Sequence, residues 1–196
     1  MTTTTTDGAR ATRGPAVREA IVDAAAALFA EHGIRAVSAD RILGEAGFSK
    51  VTFYRHFPSK DDVVVAYLQR ELAYVRELVA RASGAALTVD QIAVALTDEM
   101  CRPHFRGCPF INAAAEYPEA GHPVRAVVSE FRVLMTGAIE AWLREAGLDA
   151  DAAASAATQV MMLRDGALVA GYLDQDPDRV AEGLAGAIRA IVGPRP

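Results

Sequence analysis

The chain has 196 residues, 52% hydrophobic and 23% charged, with a net charge of −5. That is enough apolar material to bury a core, and it suits one or two domains. Two cysteines, Cys101 and Cys108, exclude a disulfide scaffold, and no apolar run approaches the roughly 18 residues of a membrane-spanning helix.

Met1 to Thr6 is mostly threonine, with neither a basic start nor an apolar centre, so it does not read as a secretory signal. Residues 1–14 are expected to be a disordered tail, and the protein to be cytoplasmic with both cysteines as thiols. Pro15 can open helix 1, where its missing N–H costs nothing. Val17, Ile21, Ala24, Ala25 and Leu28 then form a buried stripe, and Gly33 ends the helix.

A helix-turn-helix follows. Ser38 caps a helix that runs to Ala46, with Ile42 and Leu43 facing inward. Gly47 supplies the left-handed turn. Ser49 caps a short second helix from Lys50 to about His56, the one such motifs insert into the DNA major groove. By helical spacing, Phe53 and Phe57 belong to the core. Charge agrees with a DNA-reading head at 15–58. Residues 1–60 carry +2 and residues 61–196 carry −7, and both lysines of the chain, Lys50 and Lys60, lie in or beside the motif.

The body, 59–196, is expected to be helical throughout, so the fold class is all-α with about nine helices. Helix 4 starts after Ser59, with Asp61 and Asp62 in its first turn, and ends near Ser83-Gly84. Helix 5 spans roughly Thr88 to Arg102, and a short helix covers about Phe110 to Glu116. Helix 7 spans about Pro123 to Ala146, helix 8 about Asp151 to Leu173, and helix 9 about Pro177 to Val192. Helices 8 and 9 carry apolar stripes: Val160, Met161, Leu163, Leu168, Val169 and Leu173, then Val180, Leu184, Ile188 and Ile191. A lone chain would struggle to bury these as well as its core, which points to a two-fold four-helix interface.

Enzyme motifs are absent. There is no G-x-S-x-G elbow, phosphate loop or H-E-x-x-H, and GALVAGYL follows no strand. No cofactor is expected. Cys101, His104 and Cys108 are close in sequence, but C-x2-H-x3-C matches no strong zinc signature, so no metal is expected either. A thiol-sensing pair at Cys101 and Cys108 is an alternative, as is a small-molecule-binding helical protein that does not bind DNA.

Ala25, Leu28, Phe29, Gly33, Ser38, Ile42, Ala46, Gly47, Tyr54, Phe57 and the run SKVTFYRHF make the head resemble the DNA-binding domain of the TetR (tetracycline-repressor-like) family. Phe48 and Phe53 stand where that family often has smaller aliphatics. Further on, GCPFINAAAEYPEAGHPV resembles a run from one subgroup of these regulators. The resemblance implies a repressor released from a palindromic double-stranded DNA operator by a small, largely apolar effector. By position it puts Lys50, Val51 and Thr52 nearest the base edges and Ser38, Ser49, Tyr54, His56 and Lys60 at phosphates. The chemistry agrees, since a lysine can reach guanine O6 and N7 and apolar groups suit thymine methyls, whereas hydroxyls and ammonium groups suit backbone anchoring. It also implies a homodimer through helices 8 and 9 and an effector pocket among the central helices. Pocket candidates are Leu68, Met100, His104, Phe105, Phe110 and Asn112, followed by Tyr117, Met135, Trp142, Met161 and Met162. Val63, Tyr67 and Tyr74 on helix 4 are candidate transmitters.

Overall fold

The computed structural model describes residues 7–193, so the threonine tail at 1–6 lies outside the described residues. Nine helices are present among them: α1 (Asp7–His32), α2 (Ala39–Ala46), α3 (Lys50–His56), α4 (Lys60–Ala82), α5 (Val89–Met100), α6 (Pro109–Glu116), α7 (Pro123–Glu145), α8 (Ala150–Asp174) and α9 (Pro177–Val192). The chain divides into two compact units, one ending at Arg70 and one beginning at Glu71.

In the first unit α1, α2 and α3 pack on one another. Ile21, Val22, Ala25, Leu28 and Phe29 of α1 are buried, while Val17 and Ala24 are half-buried. Ile42 and Leu43 of α2 and Phe53 of α3 complete this core, with Phe57 just beyond. The local chemistry sets the helix ends. Ser38 is extended (φ −84°, ψ 159°), and its Oγ accepts the Arg41 N–H at 3.1 Å. Gly47 adopts φ 72°, a left-handed conformation that lets its N–H close on the Leu43 carbonyl at 3.0 Å before the chain turns.

Two expectations change here. Helix α1 begins at Asp7, so Pro15 lies inside it rather than at its start, and part of the expected tail is helical. A proline deletes one backbone N–H, and a helix can continue through that loss where neighbouring turns hold it. The first unit also extends past residue 59 to Arg70. Val63, Val64 and Leu68 of α4 are fully buried, and the Tyr67 ring meets Phe29 edge-on at 5.6 Å, so the opening turns of α4 finish the head's core.

In the second unit α7 packs on α6 and α8, α9 packs on α5 and α8, and α5 also meets α8. Leu143, Ala153, Ala156 and Ala157 form one buried cluster, flanked by Ile139, Trp142, Leu148, Ile191 and Val192. Alanines on α8 allow this close approach. A capping box at Thr88 and Gln91 starts α5, and the Asp149 carboxylate caps α8 through the Ala152 N–H at 2.9 Å. Helix α8 is apolar on two sides. Val160, Met161 and Leu168 face the core, as do Leu184 and Ile188 of α9, so these members of the expected dimer stripes are buried within the chain. The outward side carries Met162, Val169, Tyr172 and Leu173, of which Leu173 is 69% exposed.

Candidate nucleic-acid interface

Helix α3 owes its orientation to its aromatic side. Phe53 and Phe57 are buried with ring centroids 6.1 Å apart, and the Arg18 guanidinium lies 4.7 Å above the Phe57 ring. With that face fixed inward, Lys50, Val51 and Tyr54 face solvent. Val51 is 71% exposed on the first turn, an apolar side chain beside a cation at a helix N-terminus. The Ser49 Oγ accepts the Thr52 N–H at 3.2 Å and lies 3.0 Å from the Thr52 hydroxyl, so both side chains stiffen the start of α3.

The Lys50 ammonium sits 2.9 Å from Asp40 of α2. The hydrogen bond and the negative charge of Asp40 hold Lys50 above the usual lysine pKa. The pair is exposed and contributes little to stability. Its effect is to place the cation over α2 and to set a carboxylate beside the surface that would meet DNA. Sequence reasoning missed Asp40 because the contact joins two helices.

Tyr54 is half in solvent, with its ring edge-on to Phe53 at 5.2 Å, and His56 is half-buried. The Lys60 ammonium donates to the Ile34 carbonyl at 2.7 Å, so it closes the α1–α2 connection as well as offering charge. Ser38 serves α2 as its cap. The structure therefore brings the eight candidate DNA residues onto α3 and the helix ends beside it, several of them with a structural role besides.

The pocket candidates do not converge. Leu68 lies in the head unit, fully buried. Met100 and Met161 are buried, and Phe105, Met135 and Tyr117 are half-buried. The Asn112 amide donates to the Arg106 carbonyl at 2.9 Å, and the Trp142 indole donates to the Leu87 carbonyl at 2.8 Å, so both polar handles tie down loops. Tyr117 lies against His122, with ring centroids 4.6 Å apart. Two candidates are exposed. His104 is exposed in a left-handed turn (φ 59°), and Met162 is 59% exposed on the outer side of α8. A helical period shows which residues share a face, not which face is inward.

Phe110 does line a cleft, of about 380 Å³, between α6 and α7. Its ring stacks on Phe131 with centroids 3.9 Å apart. Arg125, Ser129 and Arg132 of α7, four and three residues apart, stand on the same wall, a spacing readable in the sequence. A second groove of about 320 Å³ runs between α8 and α9, with Met162, Gly166, Ala170, Val180 and Gly183 along it. Cys101, at the end of α5, is exposed, and Cys108, at the start of α6, is buried.

Residues 21–67 match the family model for bacterial regulatory proteins of the tetR family, and residues 82–181 match that for the C-terminal domain of LmrA/YxaF-like transcriptional regulators. The chain belongs to the TetR family. Among solved structures it is similar to SCO4454, a TetR-family transcriptional regulator from Streptomyces coelicolor, at 34% identity, covering 90% of this chain and 94% of that one with a TM-score of 0.81. It is also similar to the transcriptional repressor KstR2 of Rhodococcus jostii, at 29% identity over 78% of this chain and 77% of that protein. The regulator LmrA of Bacillus subtilis is 26% identical over 78% of this chain and 84% of its own. As a TetR-family member the chain is a DNA-binding transcriptional regulator and not an enzyme. The run GCPFINAAAEYPEAGHPV lies within the residues of the second match. No described helix is long and apolar enough to cross a membrane.

Proposed function

We propose that this TetR-family regulator is a repressor that binds a pseudo-palindromic operator as a homodimer and is released by a small effector. The observation that carries the reading is the first turn of α3, where Lys50 and the 71%-exposed Val51 point away from a fixed aromatic core. Lys50, Val51 and Thr52 read base edges, and Ser38, Ser49, Tyr54, His56 and Lys60 hold phosphates. Base contacts carry the sequence preference, and phosphate contacts carry register and most of the salt dependence. The outward apolar side of α8 and its groove with α9 support pairing with a second copy, since Gly166 and Gly183 let helices approach closely. A dimer sets its two recognition helices about 34 Å apart, one turn of DNA. Release is a population shift and requires the effector to bind the DNA-free conformer more tightly.

Fluorescence anisotropy with the duplex covering the protein's own promoter, over a salt series and against scrambled DNA, tests this. Sequence-dependent binding with a steep salt slope is expected. Lys50→Ala is expected to cost on the order of tenfold on the operator and little on scrambled DNA. An equal loss on both duplexes removes Lys50 from base reading.

A further inference from the structure

We infer that the α6–α7 cleft takes an organic anion with an apolar body, held by Arg125 and Arg132, and that such an anion is the effector. The inference rests on the release mechanism proposed above and specifies the chemistry of its ligand. Phe110 and Phe131 are both buried and stacked nearly parallel, at 3°, which makes a rigid apolar floor. Over it, Arg125, Ser129 and Arg132 project from one face of α7. A neutral apolar ligand would cover the remaining N–H donors of these guanidiniums without pairing them, which is costly.

The charge count favours an anion. Arg132 and Arg164 share one carboxylate, Asp165, and the Arg164 guanidinium also lies 5.3 Å from the centre of the Phe131 ring. Arg125 donates one N–H to the Ala114 carbonyl at 3.1 Å. The neighbouring Glu130 is engaged by Arg76. Arg125 and Arg132 therefore both stand on the cleft wall, and the carboxylate that Arg132 meets is shared with Arg164, which leaves positive charge beside aromatic surface. A guanidinium has five N–H donors in a planar fork, so Arg125 retains donors for a carboxylate. A cleft of about 380 Å³ suits a ligand of modest size.

Isothermal titration calorimetry on the full chain tests this with two acid–amide pairs, 2-naphthoate against 2-naphthamide and decanoate against decanamide. At least one acid is expected to bind about tenfold or more tighter than its amide, because only the acid pairs with the guanidiniums. That preference should disappear in Arg125→Gln and weaken in Arg132→Gln, with Arg125→Lys retaining part of it. Circular dichroism melts report whether the variants stay folded, and Arg132→Gln tests the site independently of the Ala114 contact. No charge preference in either pair, or a preference unchanged in both glutamine variants, overturns the anion site. The operator duplex then separates the two layers. A charge-selective acid that leaves operator occupancy unmoved at saturation overturns the effector role, whereas an amide that releases DNA as readily as its acid overturns the anion and leaves effector release standing.

Discussion

Gly171→Ala tests how closely α5 and α8 pack. Gly171 is buried, and a methyl group at its Cα would lie 2.1 Å from the Met100 sulfur and 3.0 Å from Met100 Cγ. Non-bonded carbon contacts settle near 3.5–4.0 Å, so the sulfur must retreat by roughly 1.5 Å. Met100 is 6% exposed, and its retreat presses on packed neighbours. Overpacking costs about 1–3 kcal/mol, toward the lower end for a flexible methionine. Removing a helical glycine gains up to about 1 kcal/mol. The expected net result is a loss of about 1 kcal/mol and a fall in Tm of roughly 2–4 °C. Urea denaturation followed by circular dichroism measures it, at one fixed protein concentration because association shifts apparent stability. Met100→Ala alone is expected to lose roughly 2–5 kcal/mol. With the sulfur gone, the methyl added at position 171 no longer clashes, so the double variant should exceed the additive sum by about 1–2 kcal/mol. A stabilised Gly171→Ala, or zero coupling to Met100, refutes the reasoning.

Three further outcomes follow from named contacts. Asp40→Asn frees the Lys50 ammonium and removes an anion beside the DNA-facing surface, so anisotropy should show tighter binding at low salt and a gain that shrinks as salt rises; unchanged or weaker binding would show that Asp40 does not compete with DNA. Ser49→Ala removes the cap on the Thr52 N–H and should lower stability by about 1 kcal/mol in a denaturant titration. Leu173→Asp places a charge on the outward side of α8 and should move sedimentation velocity from dimer toward monomer, while an intact dimer would argue against pairing through α8 and α9.

The local signals were legible because their physics is local. Ser38, Gly47 and Ser49 punctuate the head through hydrogen bonds within four residues, and each does so in the structure as the sequence implies. Helix α9 has the bounds that Pro177 and the apolar run to Val192 suggested. Pro15 misled, because a proline that can start a helix can also sit inside one. The polar pocket candidates show a different limit of sequence reading. Asn112 and Trp142 have side chains that can orient a ligand, yet each meets a backbone carbonyl that nothing in its own helix could reveal.

The sequence by itself determined the all-helical class, the helix-turn-helix, its caps and the side of α3 that carries Lys50 and Val51, because helical periodicity and capping depend on residues a few positions apart. Only the tertiary structure decided that the head's unit extends through Arg70, that Asp40 holds Lys50, that Met162 faces outward and that Arg125, Ser129 and Arg132 flank a phenylalanine stack. These depend on which helix meets which. Helix α8, apolar on two sides, leaves that choice open until its neighbours are in place.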